Sequence, residues 1–93
     1  MTATPRDGTV FLVGESPEAV ERFMLARGFH HAAGAYRHPD HRPRYVFVTD
    51  PSRLRGLKAP LVYCIERYSS RPDIREIERV FVETKARLCL YPA

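Results

Sequence analysis

Long apolar runs are missing from this 93-residue chain: the longest, Val10 to Val13 and Leu61 to Ile65, fall far short of the roughly 20 residues that a membrane helix needs. Insertion into a membrane as a helix is therefore not expected. Residues Met1 to Gly8 show no basic segment followed by an apolar stretch, so no secretory signal is expected and the cytoplasm is the expected setting. Cysteine is scarce as well. Cys64 and Cys89 are the only two, no Cys-x-x-Cys occurs, and both stand inside apolar runs, where a free thiol behaves as a small hydrophobe. Reduced core thiols are the simplest reading, because a disulfide would need an oxidising compartment that nothing in the chain indicates.

The five glycines are too few and too scattered for a phosphate-cradling loop. A dinucleotide site after a first strand wants Gly-x-Gly-x-x-Gly, so that backbone can approach the pyrophosphate; here only Gly14 is present, and Glu15 and Pro17 fill the turn. Gly-x-x-x-x-Gly-Lys-Ser/Thr is absent, and Ser16, Ser52, Ser69 and Ser70 stand in no Gly-x-Ser-x-Gly turn. No catalytic residue and no cofactor is assigned on these grounds. Asp50, Glu15 and Glu66 are the candidates for a general acid or base, a weak signal because carboxylates are common at strand ends.

Lysine is nearly absent, and thirteen of the fifteen basic residues are Arg, the side chain best suited to bidentate binding of phosphate or carboxylate. A GC-rich genome accounts for the same bias. The net charge of +4 is regional: residues 37 to 71 hold eight basic against three acidic residues, whereas the segments on either side are close to neutral. The chain is one domain of ordinary globular composition, 44% hydrophobic and 28% charged, without repeat, linker or low-complexity tract.

Thr9-Val10-Phe11-Leu12-Val13, Tyr45-Val46-Phe47-Val48 and Leu61-Val62-Tyr63-Cys64-Ile65 are continuous β-prone runs, the pattern of strands covered on both faces. Each leads to a proline-marked helix start, through Ser16-Pro17, Asp50-Pro51 and Arg71-Pro72, and proline suits the first helical turn because no N–H partner is needed there. Val20, Phe23, Met24 and Arg27 give the first helix an apolar stripe ending at Gly28; a short helical turn closes at Gly56. Ile74, Ile77 and Phe81 line the last helix, with Asp73 and Glu76 in capping-box relation and Glu83 spaced for ion pairs with Arg79 and Arg87. Leu88 to Tyr91 forms a final strand. Residues 29 to 44 are the least patterned: the first half suits a short edge strand and the second, with Pro39 and Pro43, a loop. The sum is a single small three-layer α/β sandwich over residues 1–93, with a mainly parallel four-stranded sheet in the Rossmann-like order β-α-β-(α)-β-α-β. A hairpin across residues 49 to 60 is the alternative that would break this geometry.

In a parallel sheet the strand C-termini share one edge, where open α/β proteins bind ligands. That edge collects Glu15, Ser16, Thr49, Asp50, Arg53, Glu66, Arg67, Ser69, Ser70 and Arg71. Helix N-termini with three nearby Arg make an anion such as phosphate a sensible guest, although caps and turns explain the same Ser and Asp residues. His38, Asp40 and His41, with His30 and His31 nearby, invite a metal, but adjacent histidines do not aim easily at one ion, and surface-loop histidines are the simpler reading. Tyr36, Tyr45 and Tyr68 among Arg37, Arg42, Arg44, Arg67 and Arg71 form a modest basis for nucleic-acid binding.

Residues 45–51 (Tyr-Val-Phe-Val-Thr-Asp-Pro), Leu54-Arg55-Gly56-Leu57, Arg71-Pro72-Asp73-Ile74 and Glu76-Ile77, with the Val10-to-Gly14 strand, resemble small α/β accessory proteins of actinobacterial phages. The resemblance implies a viral accessory setting and no particular reaction. A host protein is then the expected partner, bound through a basic edge that meets an acidic surface. An anionic small molecule or nucleotide held at the helix N-termini, with or without catalysis, is the alternative, and weak salt-dependent nucleic-acid binding a third.

Overall fold

A computed structural model describes residues 8–90. β1 (Thr9–Val13) is buried from both sides and becomes a central strand, flanked by β4 (His41–Phe47) and β5 (Leu61–Cys64), both parallel to it. β6 (Arg87–Leu90) adds in parallel to β5. β2 (His30–Ala32) and β3 (Ala35–His38) join antiparallel beyond β4, completing one six-stranded sheet in the order β2-β3-β4-β1-β5-β6.

The mainly parallel four-stranded sheet in Rossmann-like order is thus corrected to a mixed six-stranded sheet. The two extra strands come from residues 29 to 44, read from sequence as half loop. Their signal is weak for physical reasons. β2 is exposed at all three positions and has no apolar face to display, and the tight turn before β3 is Ala33-Gly34, both at positive φ (54° and 80°), where Asn-Gly would have announced a hairpin. Pro43 sits inside β4 at an irregularity in its pairing with β3, ahead of the Thr9–Arg44 register with β1, so its missing N–H leaves no ladder position empty.

Alternation along the strands sorts the core into two clusters, one on each face of the sheet. Val10 and Leu12 of β1 meet Val20, Phe23 and Met24 of α1 (Pro17–Leu25), together with Tyr36 and Tyr45. Val13 with Val62 and Cys64 meets Ile77, Val80 and Phe81 of α2 (Ile74–Thr84), and Leu54 of the 3-10 helix Pro51–Leu54 joins them. α1 therefore covers one face alone, while α2 and the 3-10 helix share the other. Gly14 lets α1 fold back tightly on β1: a Cβ there would stand 2.4 Å from Val20 Cγ2. At Gly28, φ +88° turns the chain out of α1, and His38 packs against the bare Cα side.

Two local expectations are also corrected. Asp73 is the residue before α2 but makes no capping bond, because its carboxylate is held by Arg71. Glu83 pairs with Arg55 at 3.4 Å, on the flank of α2 facing the 3-10 helix, and Arg55 also reaches Glu76. Arg79 and Arg87 make no ion pair among the described residues. Tyr91, the expected end of the last strand, and Met1 to Asp7 lie outside the described residues.

Candidate functional site

The parallel run of β4, β1 and β5 brings the expected residues to one edge, and hydrogen bonding there shows what each does. Ser16 Oγ accepts from Ala19 N at 3.1 Å and caps α1. Asp50 Oδ1 accepts from Ser52 N at 3.0 Å and caps the 3-10 helix; that bond holds the Asp50 carboxyl below its ordinary value of 3.8 although the group is exposed. The loops after β1 and β5 leave toward opposite faces, which opens the crevice where α/β sheets take ligands. Here Arg67 Nε donates to Glu15 Oε1 at 3.2 Å across it, with Arg67 in the left-handed region at φ 64°.

Arg71 is the largest departure from expectation, because it points inward. Only 8% exposed, it donates from Nη1 to Val48 O at 2.7 Å, from Nη2 to Thr49 O at 2.9 Å, and from Nε and Nη2 to the Asp73 carboxylate. It fastens the loop after β5 to the end of β4. Arg53 is exposed and borders a separate hollow with Glu21, His31 and Tyr36. Ser69 and Ser70 are exposed in the 3-10 turn Tyr68–Ser70.

The depression left at this edge, about 420 Å³, is bordered by Glu15, Ser16, Thr49, Arg71 and Asp73. Two carboxylates repel an anion there, and the guanidinium already spends four of its five N–H groups within the chain. The three Arg residues that share this edge in sequence therefore do not converge. The wider basic region disperses in the same way: Arg55, Arg67 and Arg71 are paired with carboxylates from outside residues 37 to 71, and Arg44 Nε donates to Thr9 Oγ1.

The histidines are distributed over β2, β3 and β4. His38 and His41 stack edge to face at 4.7 Å, and both ring against Phe29. His38 Nδ1 accepts from Asp40 N, and His41 Nδ1 shares a hydrogen bond with Tyr45 Oη at 3.0 Å. No group of three metal-ligating side chains assembles among the described residues. Cys64 is buried, and burial pushes its thiol up to about 11, which makes it a poor nucleophile at neutral pH.

Sequence reasoning missed the open side of the sheet. β6 is an edge strand, and Leu88 and Leu90, in register with Val62 and Cys64, share the α2 face, yet they stay 46% and 62% exposed. The flank of α2 opposite the Arg55 pairs carries Arg75, Glu78 and Val82 at i, i+3 and i+7, and Val82 is 78% exposed. Val82 stands well away from the buried Ile77–Val80–Phe81–Thr84 stripe of α2. The signal was present: Val82 lies off the Ile74–Ile77–Phe81 stripe, so an apolar residue there has no core to enter. Among the described residues no helix is long and apolar enough to cross a membrane.

No family model matches the chain, and no match is found among curated proteins or among solved structures.

Proposed function

We propose that the chain acts by binding another protein along the β6 edge, as a small accessory protein of the actinobacterial-phage kind with a protein of the bacterial host, in the host cytoplasm, as its partner. The observation that carries this reading is an unpaired strand edge that bears two exposed apolar side chains, Leu88 and Leu90. An edge strand offers backbone donors and acceptors to an incoming strand, and apolar side chains beside it supply the burial that such pairing needs. Lys85 and Arg87, at the start of the strand in sequence, make no ion pair among the described residues. The occupant with matching chemistry is an extended segment with alternate apolar residues and flanking Asp or Glu. Four residues of one short strand make a small contact, so the complex is transient and weakens with salt.

The test is affinity capture from an actinobacterial lysate by the parent chain and by a variant with Leu88→Asp and Leu90→Asp. A specific, salt-sensitive partner lost in the variant, with circular dichroism and melting unchanged, is the expected result. Undiminished capture by the variant, or no salt-sensitive partner for the parent, rejects the reading.

A further inference from the structure

The sheet face under α1 carries a second feature, independent of the β6 edge and opposite to Leu88 and Leu90. α1 alone covers this face, and beside it half-buried Tyr63 borders a cavity of about 200 Å³ that reaches in to buried Tyr45 and Ile65. A cavity of about 150 Å³ lined by Leu, Ile and Phe suffices for benzene, so this one has room for a single substituted ring. Its walls are aromatic and already tilted against each other: Phe29 and Tyr45 at 5.0 Å and 78°, Tyr45 and Tyr63 at 5.6 Å and 56°. A ring entering between them finds edge-to-face contacts on more than one side.

One wall carries a full charge. Arg27 lies over the Phe23 ring, 3.5 Å from its centroid, and Nη1 donates to Phe23 O at 3.0 Å. That bond uses one of five guanidinium N–H groups, and no carboxylate pairs with Arg27 among the described residues. Stacking on Phe23 fixes the plane of the guanidinium at the cavity wall, so a ligand carboxylate there needs no large rearrangement of the side chain. We infer that the structure contains a binding site for a small aromatic carboxylate, its ring among Phe29, Tyr45 and Tyr63 and its charge on Arg27. The ring walls stand apart from the strand C-terminal edge, whereas Arg27 also borders a hollow that it shares with Glu15, Glu66 and Arg67 of that edge.

Nuclear magnetic resonance of the full chain titrated with benzoate, benzyl alcohol and acetate tests this directly. Benzoate is expected to shift resonances of Leu12, Arg27, Tyr45 and Tyr63 with a Kd of about 1 mM, the order open to so small a ligand. Benzyl alcohol should shift the same residues and acetate none. Arg27→Gln should weaken benzoate by about tenfold while leaving benzyl alcohol unchanged, since only the charge-assisted contact is removed. No benzoate shifts at about 20 mM, well above that Kd, shifts confined to other residues, or an unchanged benzoate affinity in Arg27→Gln overturns the assignment. None of these outcomes depends on a protein partner, so the site stands or falls apart from β6.

Discussion

Arg71 and Asp73 form a two-pronged ion pair, with Nε to Oδ1 and Nη2 to Oδ2 both at 2.9 Å, while the same guanidinium closes on the carbonyls of Val48 and Thr49. Two residues that sequence logic assigns to ligand binding and helix capping instead hold the end of β4 to the start of α2. The arrangement occupies four of the five guanidinium N–H groups and pairs the charge with a carboxylate, which is the condition under which burial of a charge is tolerated.

Arg71→Ala is therefore expected to destabilise the fold by about 3 kcal/mol, because it strands two carbonyls and a partly buried carboxylate. Arg71→Lys should recover only part of the loss, since one ammonium cannot reproduce the fork. Urea unfolding of the three proteins measures both. A change below about 0.5 kcal/mol for Arg71→Ala would return Arg71 to the status of an ordinary surface residue.

Much of the local structure was legible, and the places where legibility ended have identifiable causes. The apolar run at Thr9–Val13 is a strand covered on both faces, Leu61–Cys64 is one covered by α2 on one face and half-buried at Leu61 and Tyr63 on the other, and Ser16-Pro17 starts a helix as its chemistry demands. The mixed sheet was hidden because β2 buries nothing, β3 buries only Ala35 and Tyr36, and the two turn through Ala33-Gly34. The edge residues were located by strand direction, but whether an Arg points outward or inward depends on long-range partners such as Val48 O, for which sequence spacing holds no signal. The aromatic cavity depends on which strands one helix fails to cover, and that too is a tertiary fact.

Gly14 has no positive-φ requirement, so its importance is steric alone. Gly14→Ala should cost about 1–3 kcal/mol by forcing α1 from β1. In a Val20→Ala background the same change should cost distinctly less, because the methyl it meets is gone. A double-mutant cycle by chemical denaturation reads the coupling; equal costs in both backgrounds would mean that α1 does not press on Gly14.

The two thiols should differ sharply in reactivity. Cys64 is buried with its thiol pushed up to about 11 by burial and, secondarily, by Cys89, which is itself partly exposed. At pH 8, iodoacetamide followed by mass spectrometry should label Cys89 first and Cys64 only at the rate of unfolding. The raised value also sets a sign. The stability held by keeping Cys64 neutral is complete below its ordinary value of 9.0 and declines as pH rises from there to about 11. Cys64→Ala should flatten that alkaline decline.

Asp50 has the opposite sign. Its carboxyl is held below 3.8 by the Ser52 N–H, so its contribution is present above that pH and is lost as pH falls through the lower folded value. The stability difference between the parent and Asp50→Ala should therefore be constant near neutrality and shrink below pH 3.8. Acid titration of the melting temperature for both proteins shows it, and a difference that persists at the lowest pH would remove the carboxylate form from the cap.

Docking at β6 is tested most directly by placing a photoreactive residue at position 88 or 90 and, for comparison, at position 25, since Leu88 and Leu90 are exposed on the edge strand whereas Leu25 is exposed on α1. After irradiation in actinobacterial lysate, mass spectrometry identifies the peptides joined at each site. A partner strand on β6 predicts one recurring peptide, apolar with acidic neighbours, at positions 88 and 90 but not 25, and diminished by salt. No adduct at 88 and 90, or a scatter of peptides indistinguishable from position 25, would contradict protein binding along this edge.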